Sequence, residues 1–385
     1  MTAPTRVLHV VGRMDRAGTE TWLMNVMRRI DRRQFRFDFL AHLPEPGEFD
    51  GEVRDLDGLV LRCPGPSNLT LYLRTLMGIL RTHGPYDVVH SHVHRFSGFP
   101  LLVARAAGVP LRVAHSHTAA GVVSPAVSPP RKLYEMVSSR LIAAMATDRV
   151  ACSRAAAEAL FGVGASDVQV IPCGVDVSAF ATPVDPASVK REFGIPEGAI
   201  VMGHVGRFVE AKNHRFLVEV LRRLAVYPRI HLLLIGDGPL RPEIEAQLTR
   251  AGLAPRVTFT GSRPDVARLM RAMDVFLFPS VIEGLGLVLV EAQAAGVRCV
   301  VSDGVPNAAA VVPGLVTVLP LASADTWAET TLQQLSTSSR AAWPDSLGAV
   351  ERSPFSLDQS IRTLSRLYSK ANITGARIGV VEKVR

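Results

Sequence analysis

The chain has little of what would make it a stapled, nucleic-acid-binding or membrane-spanning protein. Its 385 residues include only four cysteines (Cys63, Cys152, Cys173 and Cys299), scattered with no Cys-x-x-Cys pair. That excludes a disulfide framework or a zinc ribbon and suits a reducing compartment. Aromatic residues make up 6%, and of the 43 basic residues only Lys132, Lys190, Lys212, Lys370 and Lys383 are lysine. No arginine-rich block with interleaved aromatics occurs, so no nucleic-acid partner is expected. The opening apolar run Val7–Val11 is too short for a signal-peptide core, and the apolar stretch from Val275 to Val297 is interrupted by Pro279, Glu283 and Glu291. These features predict a cytoplasmic protein. Three motifs are also missing. No Gly-x-Gly-x-x-Gly follows a strand, no Gly-x4-Gly-Lys-Ser/Thr loop exists, and no Gly-x-Ser-x-Gly elbow occurs, which excludes three common routes to α/β chemistry.

What is present is an ordinary globular balance, 48% hydrophobic and 20% charged, in a chain long enough for two or three domains. Short apolar runs alternate with longer helical patterns, the signature of parallel sheets covered by helices. Runs at Val7–Val11, Phe35–Ala41, Val88–His90 and Leu111–Ala114 predict strands of a first Rossmann-like domain over residues 1–173. Runs at Ile200–Val205, His231–Ile235, Val257–Thr260, Val275–Phe278 and Arg298–Val301 predict a second over residues 200–352. The rhythm lapses over 174–199, where Pro183, Pro186 and Pro196 punctuate a predicted linker. Residues 353–385 supply a closing helix, Phe355–Lys370, a candidate to cross back to the first domain, and a solvated basic tail. Two doubly wound domains facing each other would bind ligands in a cleft at the carboxyl ends of their strands. The net charge of +8 favours an anionic small molecule or an anionic membrane surface there.

Candidate chemistry gathers at predicted strand ends. Ser280 to Ala292 follows the run Val275–Phe278 and carries Glu283-Gly284-Leu285-Gly286 and then Glu291. Two glycines at a strand-to-helix turn let backbone approach an anion, which the helix N-terminus stabilises. At ~1.5 Å per helical residue, Glu291 would lie about 12 Å beyond Glu283, and each carboxylate can accept hydrogen bonds from hydroxyls. The segment Gly203 to Asn213 places Arg207 and Lys212 just before a helix, a planar fork and a mobile point charge suited to phosphate oxygens. In the first domain Gly18 sits at the start of the first helix, where its backbone can face the same anion. Histidines cluster at His90, His92 and His94 and at His115 and His117; alternation would put the first three on one face. Imidazole suits zinc, but no cysteine or carboxylate pair stands nearby to complete a coordination sphere, and no metal site is expected. Asp55-Leu56-Asp57 and Gly236-Asp237-Gly238-Pro239 are turns.

Together, Ala17-Gly18-Thr19-Glu20, His115-Ser116-His117, Gly206-Arg207 with Lys212, Gly236-Asp237-Gly238-Pro239, Thr260-Gly261 and Glu283-x7-Glu291 resemble the family-4 retaining glycosyltransferases of GT-B fold. The histidine segments and the stretch from Glu291 to Gly296 look most like the branch that includes exopolysaccharide and capsule enzymes. The resemblance implies that Arg207 and Lys212 bind a donor diphosphate and that Glu283, with Gly284, Leu285 and Gly286, holds the donor sugar. It places Glu291 on the ribose, Gly18 behind the phosphates, the backbone at Ser262 and Arg263 on the base, and His117, with His115 as the second choice, near the transferred sugar. His117, Arg207, Lys212 and Glu283 are then the catalytic set. The donor would be a UDP-sugar, with no cofactor and no metal. The acceptor would be a lipid-linked saccharide or a small molecule. Ala17 departs from the second glycine often found at its position in the family.

Three rival readings stand beside this one. A metal-dependent hydrolase would use the clustered histidines. A GT-B epimerase would act on the nucleotide sugar itself. A non-catalytic protein would bind the nucleotide sugar without turning it over.

Overall fold

A computed structural model describes residues 3–65, 67–118, 128–336 and 343–382, with side chains as far as Ala371. The chain divides into two compact α/β units. The first comprises Met1–Cys173 with Leu357–Arg385, the second Gly174–Ser356.

The first unit is built on seven parallel strands: β1 (Thr5–Val11), β2 (Phe35–Ala41), β3 (Val60–Arg62), β4 (Val88–Ser91), β5 (Leu111–Ser116), β6 (Asp148–Ala151) and β7 (Val168–Val170). Their order is β3-β2-β1-β4-β5-β6-β7. Helices cover both faces, so the strands are buried on both. One face packs Leu8, Val10, Val89 and Ala114 against Tyr72, Leu76, Leu101 and Ile142 of flanking helices. The opposite face carries His9, which pairs in register with His90, which in turn pairs with Val113 of β5. His115, two residues on, therefore shares that face. Helices Gly18–Arg29 and Leu357–Glu382 lie over it. The closing helix, expected to end at Lys370, continues to Glu382, so the segment expected as a solvated tail is helical backbone for most of its length.

The second unit has six parallel strands: β8 (Ile200–Val205), β9 (Ile230–Ile235), β10 (Val257–Phe259), β11 (Val275–Phe278), β12 (Arg298–Ser302) and β13 (Val316–Leu319), in the order β10-β9-β8-β11-β12-β13. Leu217, Val218 and Leu221 on one helix and Trp327 on another fill its core against Leu232, Leu234 and Leu277. Residues 174–199, expected as a linker, group with this unit and form a short helix, Pro186–Glu192, whose N-cap Asp185 accepts from the Ala187 and Ser188 amides. The turn at Gly236-Asp237-Gly238-Pro239 leads to a helix that starts at Arg241, two residues beyond Pro239.

Gly236 shows why that turn needs glycine. Its φ is 130°, and a Cβ there would stand 2.2 Å from the Gly206 carbonyl oxygen at the end of β8. Its amide donates to the Gly261 carbonyl at 2.9 Å, so the ends of β8, β9 and β10 are drawn together. Gly236→Ala is expected to destabilise the second unit by about 2–4 kcal/mol. Urea denaturation followed by circular dichroism would measure it, and an unchanged midpoint would contradict the close approach.

Candidate functional site

In the second unit the strand order reverses between β8 and β11, and at such a switch point loops leaving adjacent strands diverge and leave a crevice. The loop after β8 ends in a 3-10 turn, Glu210–Lys212, and Asn213 adopts a left-handed conformation to start the helix His214–Arg223. This aims Lys212 at the loop after β11. The Val281 amide donates to the Ala211 carbonyl at 2.8 Å, and the Glu283 amide to the Gly304 carbonyl at 3.1 Å, which fixes the two loops side by side. Lys212 Nζ then lies 2.5 Å from Glu283 Oε1, with the two side chains 21% and 13% exposed, and 4.9 Å from the centre of the Phe278 ring. Little water screens this pair, so its field is stronger than that of a surface ion pair.

Arg207 lies on the same loop after β8, exposed and with no ion-pair partner among the described residues. Gly284 and Leu285 continue the loop, and Gly286, in the left-handed region at φ 77°, N-caps the helix Leu287–Ala294. Because that helix begins only at Leu287, the uniform helical rise expected between Glu283 and Glu291 does not hold. Glu291 sits on its second turn, half-buried, and burial pushes its carboxyl up to about 7. Beneath Lys212, the fully buried His204 donates from Nδ1 to the Leu277 carbonyl at 2.8 Å, and burial lowers its pKa to about 4. That pairing requires a Nδ1–H donor. Arg263 does not join the group formed by Lys212 and Glu283. Its guanidinium pairs with Asp265 at 2.8 Å and reaches Glu192 at 3.5 Å, above the ring of Phe193.

In the first unit Gly18 opens the helix Gly18–Arg29, after Ala17, which makes no side-chain cap. Glu20, in its first turn, is half-buried, and desolvation raises its carboxyl to about 7. His117 follows β5 and belongs to a chain of rings. His9 Nδ1 meets His92 Nε2 at 3.1 Å, His92 Nδ1 meets His117 Nε2 at 2.8 Å, and His117 Nδ1 lies 3.6 Å from Cys173 Sγ. A second chain runs from the Tyr368 hydroxyl to His90 Nδ1 at 2.7 Å and from His90 Nε2 to His115 Nδ1 at 3.1 Å. Burial drives these imidazoles down, His9 and His117 to about 3. The expected His90, His92, His94 face is not the one formed. β4 ends at Ser91, and His94, at φ 49°, starts a 3-10 turn apart from the array. His9, Trp22, Cys173 and Tyr368 were not legible as members. His9 could have been found by alternation in β1, but Tyr368 comes from the far end of the chain. Residues 119–127, between β5 and the helix Pro129–Met145, lie outside the described residues.

Sequence and structure comparisons agree with this architecture. Residues 17–174 match the family described as glycosyl transferase 4-like domain, and residues 199–337 the one described as glycosyl transferases group 1. The chain is 39% identical over 333 residues to the provisionally named glycosyltransferase EpsF of Bacillus subtilis (strain 168), covering 84% of this chain and 86% of that protein. It is 30% identical over 230 residues to an Escherichia coli UDP-Gal:alpha-D-GlcNAc-diphosphoundecaprenol alpha-1,3-galactosyltransferase, covering 57% of this chain and 58% of that protein. Among solved structures, Anabaena HepE in complex with UDP-glucose superimposes with a TM-score of 0.78 at 21% identity, over 95% of this chain and 99% of that one. The fold is therefore GT-B, α/β with two Rossmann-like units, and the protein is a glycosyltransferase. The chain belongs to the family-4 glycosyltransferases, in the branch that holds EpsF.

Two pH effects follow. The buried imidazoles, with folded pKa values below 6.5, bind fewer protons folded than unfolded, so their stability contribution is present above pH 6.5 and lost as pH falls below it. Thermal melts should show the midpoint falling steadily from pH 7 to pH 5 (on the order of several degrees). Glu291 works in the opposite sense. Its folded carboxyl, raised from 4.5 to about 7, costs stability as pH rises through that window. Glu291→Gln is expected to gain about 1–3 kcal/mol at pH 8 and little at pH 4.5, read by the same melts.

Proposed function

We propose that this glycosyltransferase transfers a hexosyl group from a UDP-sugar to an acceptor hydroxyl with retention of anomeric configuration and without a metal, in exopolysaccharide, glycolipid or small-molecule glycoside assembly. The observation that carries this reading is the Lys212–Glu283 pair at the β8/β11 switch point, with the unpaired Arg207 on the same loop. When the sugar–phosphate bond breaks, negative charge grows on the departing diphosphate. Lys212 and Arg207, already in position, stabilise that charge as it develops, which is the most effective way a protein can lower such a barrier. Glu283 holds the Lys212 ammonium and accepts a hydrogen bond from a sugar hydroxyl. The Gly284–Gly286 turn offers backbone amides beside it, and Glu291 receives the ribose hydroxyls. The base contacts backbone at Ser262 and Arg263, since the Arg263 side chain is committed to Asp265. Gly18 and His117 are the first unit's contribution, to the diphosphate and the transferred sugar. In the front-face course of transfer, the sugar–phosphate bond breaks as the acceptor oxygen bonds to the same face of the anomeric carbon, and the acceptor proton passes to a donor phosphate oxygen. No carboxylate nucleophile is required.

The donor assignment is supported by the UDP-galactose in the E. coli relative's name and the UDP-glucose bound to HepE. The acceptor of that relative is a lipid diphosphate, and the same class of acceptor suits a cytoplasmic enzyme that touches the inner membrane face. Among the described residues no helix is long and apolar enough to cross a membrane. The helix Pro129–Met145 does, however, expose Leu133, Met136 and Val137 beside Lys132 and Arg140, a face suited to an anionic bilayer surface.

Arg207→Ala is the cleanest test, because an exposed, unpaired side chain leaves stability within about 0.5 kcal/mol. It is expected to lower kcat/KM for UDP-sugar turnover by about 10²-fold or more with an unchanged melting point. Lys212→Ala is expected to lose at least as much activity and also some stability, since it leaves the Glu283 carboxylate unpaired. Full turnover in Arg207→Ala would remove the electrostatic mechanism. Activity lost on EDTA treatment would refute metal independence, and an inverted anomeric coupling in the product's proton spectrum would refute retention.

A further inference from the structure

The first unit holds a set of donors that sugar transfer does not use in full. His92, His115 and His117 each offer a ring nitrogen, and the three nitrogens lie within 4.8 Å of one another. His92 and His117 are half-buried, whereas His115 is fully buried with its Nε2 lacking any partner among the described residues. An unpaired buried nitrogen costs about 1–3 kcal/mol, which a ligand would offset. Burial keeps the three rings neutral at physiological pH, the state in which imidazole can ligate a metal. Cys173 Sγ, 3.6 Å from His117 Nδ1, adds a soft donor at the margin. No carboxylate belongs to the set, and imidazole with thiol suits zinc, cobalt or copper rather than magnesium or calcium. A neighbouring trio, His9, His90 and His92, has the same spacing, but two of its three members, His9 and His90, are fully buried, against one in the chosen trio.

We propose that His92, His115 and His117 form a site for a single borderline divalent ion of the zinc type, with a fourth position open to water or to the Cys173 thiol. Binding replaces the 2.8 Å His92–His117 hydrogen bond and opens the His115–His117 stack, whose ring centres lie 3.9 Å apart at 30°. The ion is not a cofactor of transfer. It takes His117 out of the reaction, so occupancy inhibits. That consequence rests on the role proposed for His117, but the binding itself does not.

The test is titration of the full, chelator-stripped chain with CoCl2 and then ZnCl2 at neutral pH. One equivalent of cobalt is expected to give a visible ligand-field band that zinc abolishes. The same equivalent should quench Trp22, whose ring centre is 5.6 Å from His115 and 5.7 Å from His117. His92→Gln and His117→Gln are each expected to weaken binding by about tenfold or more, while His231→Gln in the second unit leaves it unchanged. Absence of a saturable cobalt band in the wild-type chain overturns the proposal even if a variant fails to fold, and so does one-equivalent binding that both glutamine variants retain. Zinc is further expected to inhibit UDP-glucose turnover reversibly, with EDTA restoring it. One-equivalent binding without inhibition would uphold the site and remove the role given to His117, and loss of the Arg207 mechanism would leave the titration unaffected.

Discussion

The strand order of the second unit reverses between β8 and β11, and the donor-side arrangement depends on that reversal. In a parallel sheet every strand delivers its carboxyl end to the same edge, but only at the reversal do two neighbouring loops run away from each other. Lys212 and Glu283, 71 residues apart, meet there at 2.5 Å. Each alone would be costly to hold at its low exposure, since a partly desolvated charge must be paired. Together they form a paired dipole at the switch point. Arg207 differs in kind. Among the described residues it has no ion-pair partner, so no such contact there must break to free its charge.

The first unit handles polarity by a different route. Instead of pairing opposite charges, it removes charge altogether, since burial keeps the rings of His9, His90, His92, His115 and His117 neutral. Neutral imidazoles link head to tail, each donating from one nitrogen and accepting on the other. In the chain through His9, His92 and His117, the Nε2 of His9 is left without a partner among the described residues. A buried orphan donor is rarer than an orphan acceptor, which favours proton donation outward from His9 Nδ1 through His92 to His117, and from His117 Nδ1 toward Cys173. In that polarity His117 Nε2 is an acceptor occupied by His92. Its ring therefore reaches any ligand only by exchanging one of these bonds, which ties the behaviour of His117 to the state of His92.

Much of the fold was legible because parallel strands buried on both faces are apolar runs, and such runs are visible without any partner in view. Strand β13, Val316–Leu319, escaped notice because three of its four residues are only half-buried and the other is exposed, a weak apolar signal. The Glu283 and Lys212 positions were legible because they follow strands directly, where the local sequence sets the turn. Arg263 shows the limit. Its placement near a strand end was readable and Asp265 lies two residues on, but its contact with Glu192 depends on a helix 71 residues earlier that read as linker. Tyr368 is the extreme instance. Its hydroxyl contacts His90 across 278 residues, and no local pattern distinguishes it from any tyrosine on an amphipathic helix. The same local blindness produced the extended face expected for His90, His92 and His94. Period-two alternation holds only while the strand lasts, and β4 ends at Ser91.

The residues that break local rules share one feature. Glu291 is an acid pushed to about 7 on a helix whose neighbours Leu289 and Val290 are buried, Asn213 is a non-glycine at φ 53°, and His115 keeps an unpaired nitrogen in the core. Consistent sequences tolerate such conflicts mainly where function demands them. Asn213 turns the chain so that Lys212 faces Glu283, and Glu291 occupies the helix that the Gly286 turn begins. The two exceptions in the second unit thus flank the same switch point, while His115 lies among the imidazoles of the other unit.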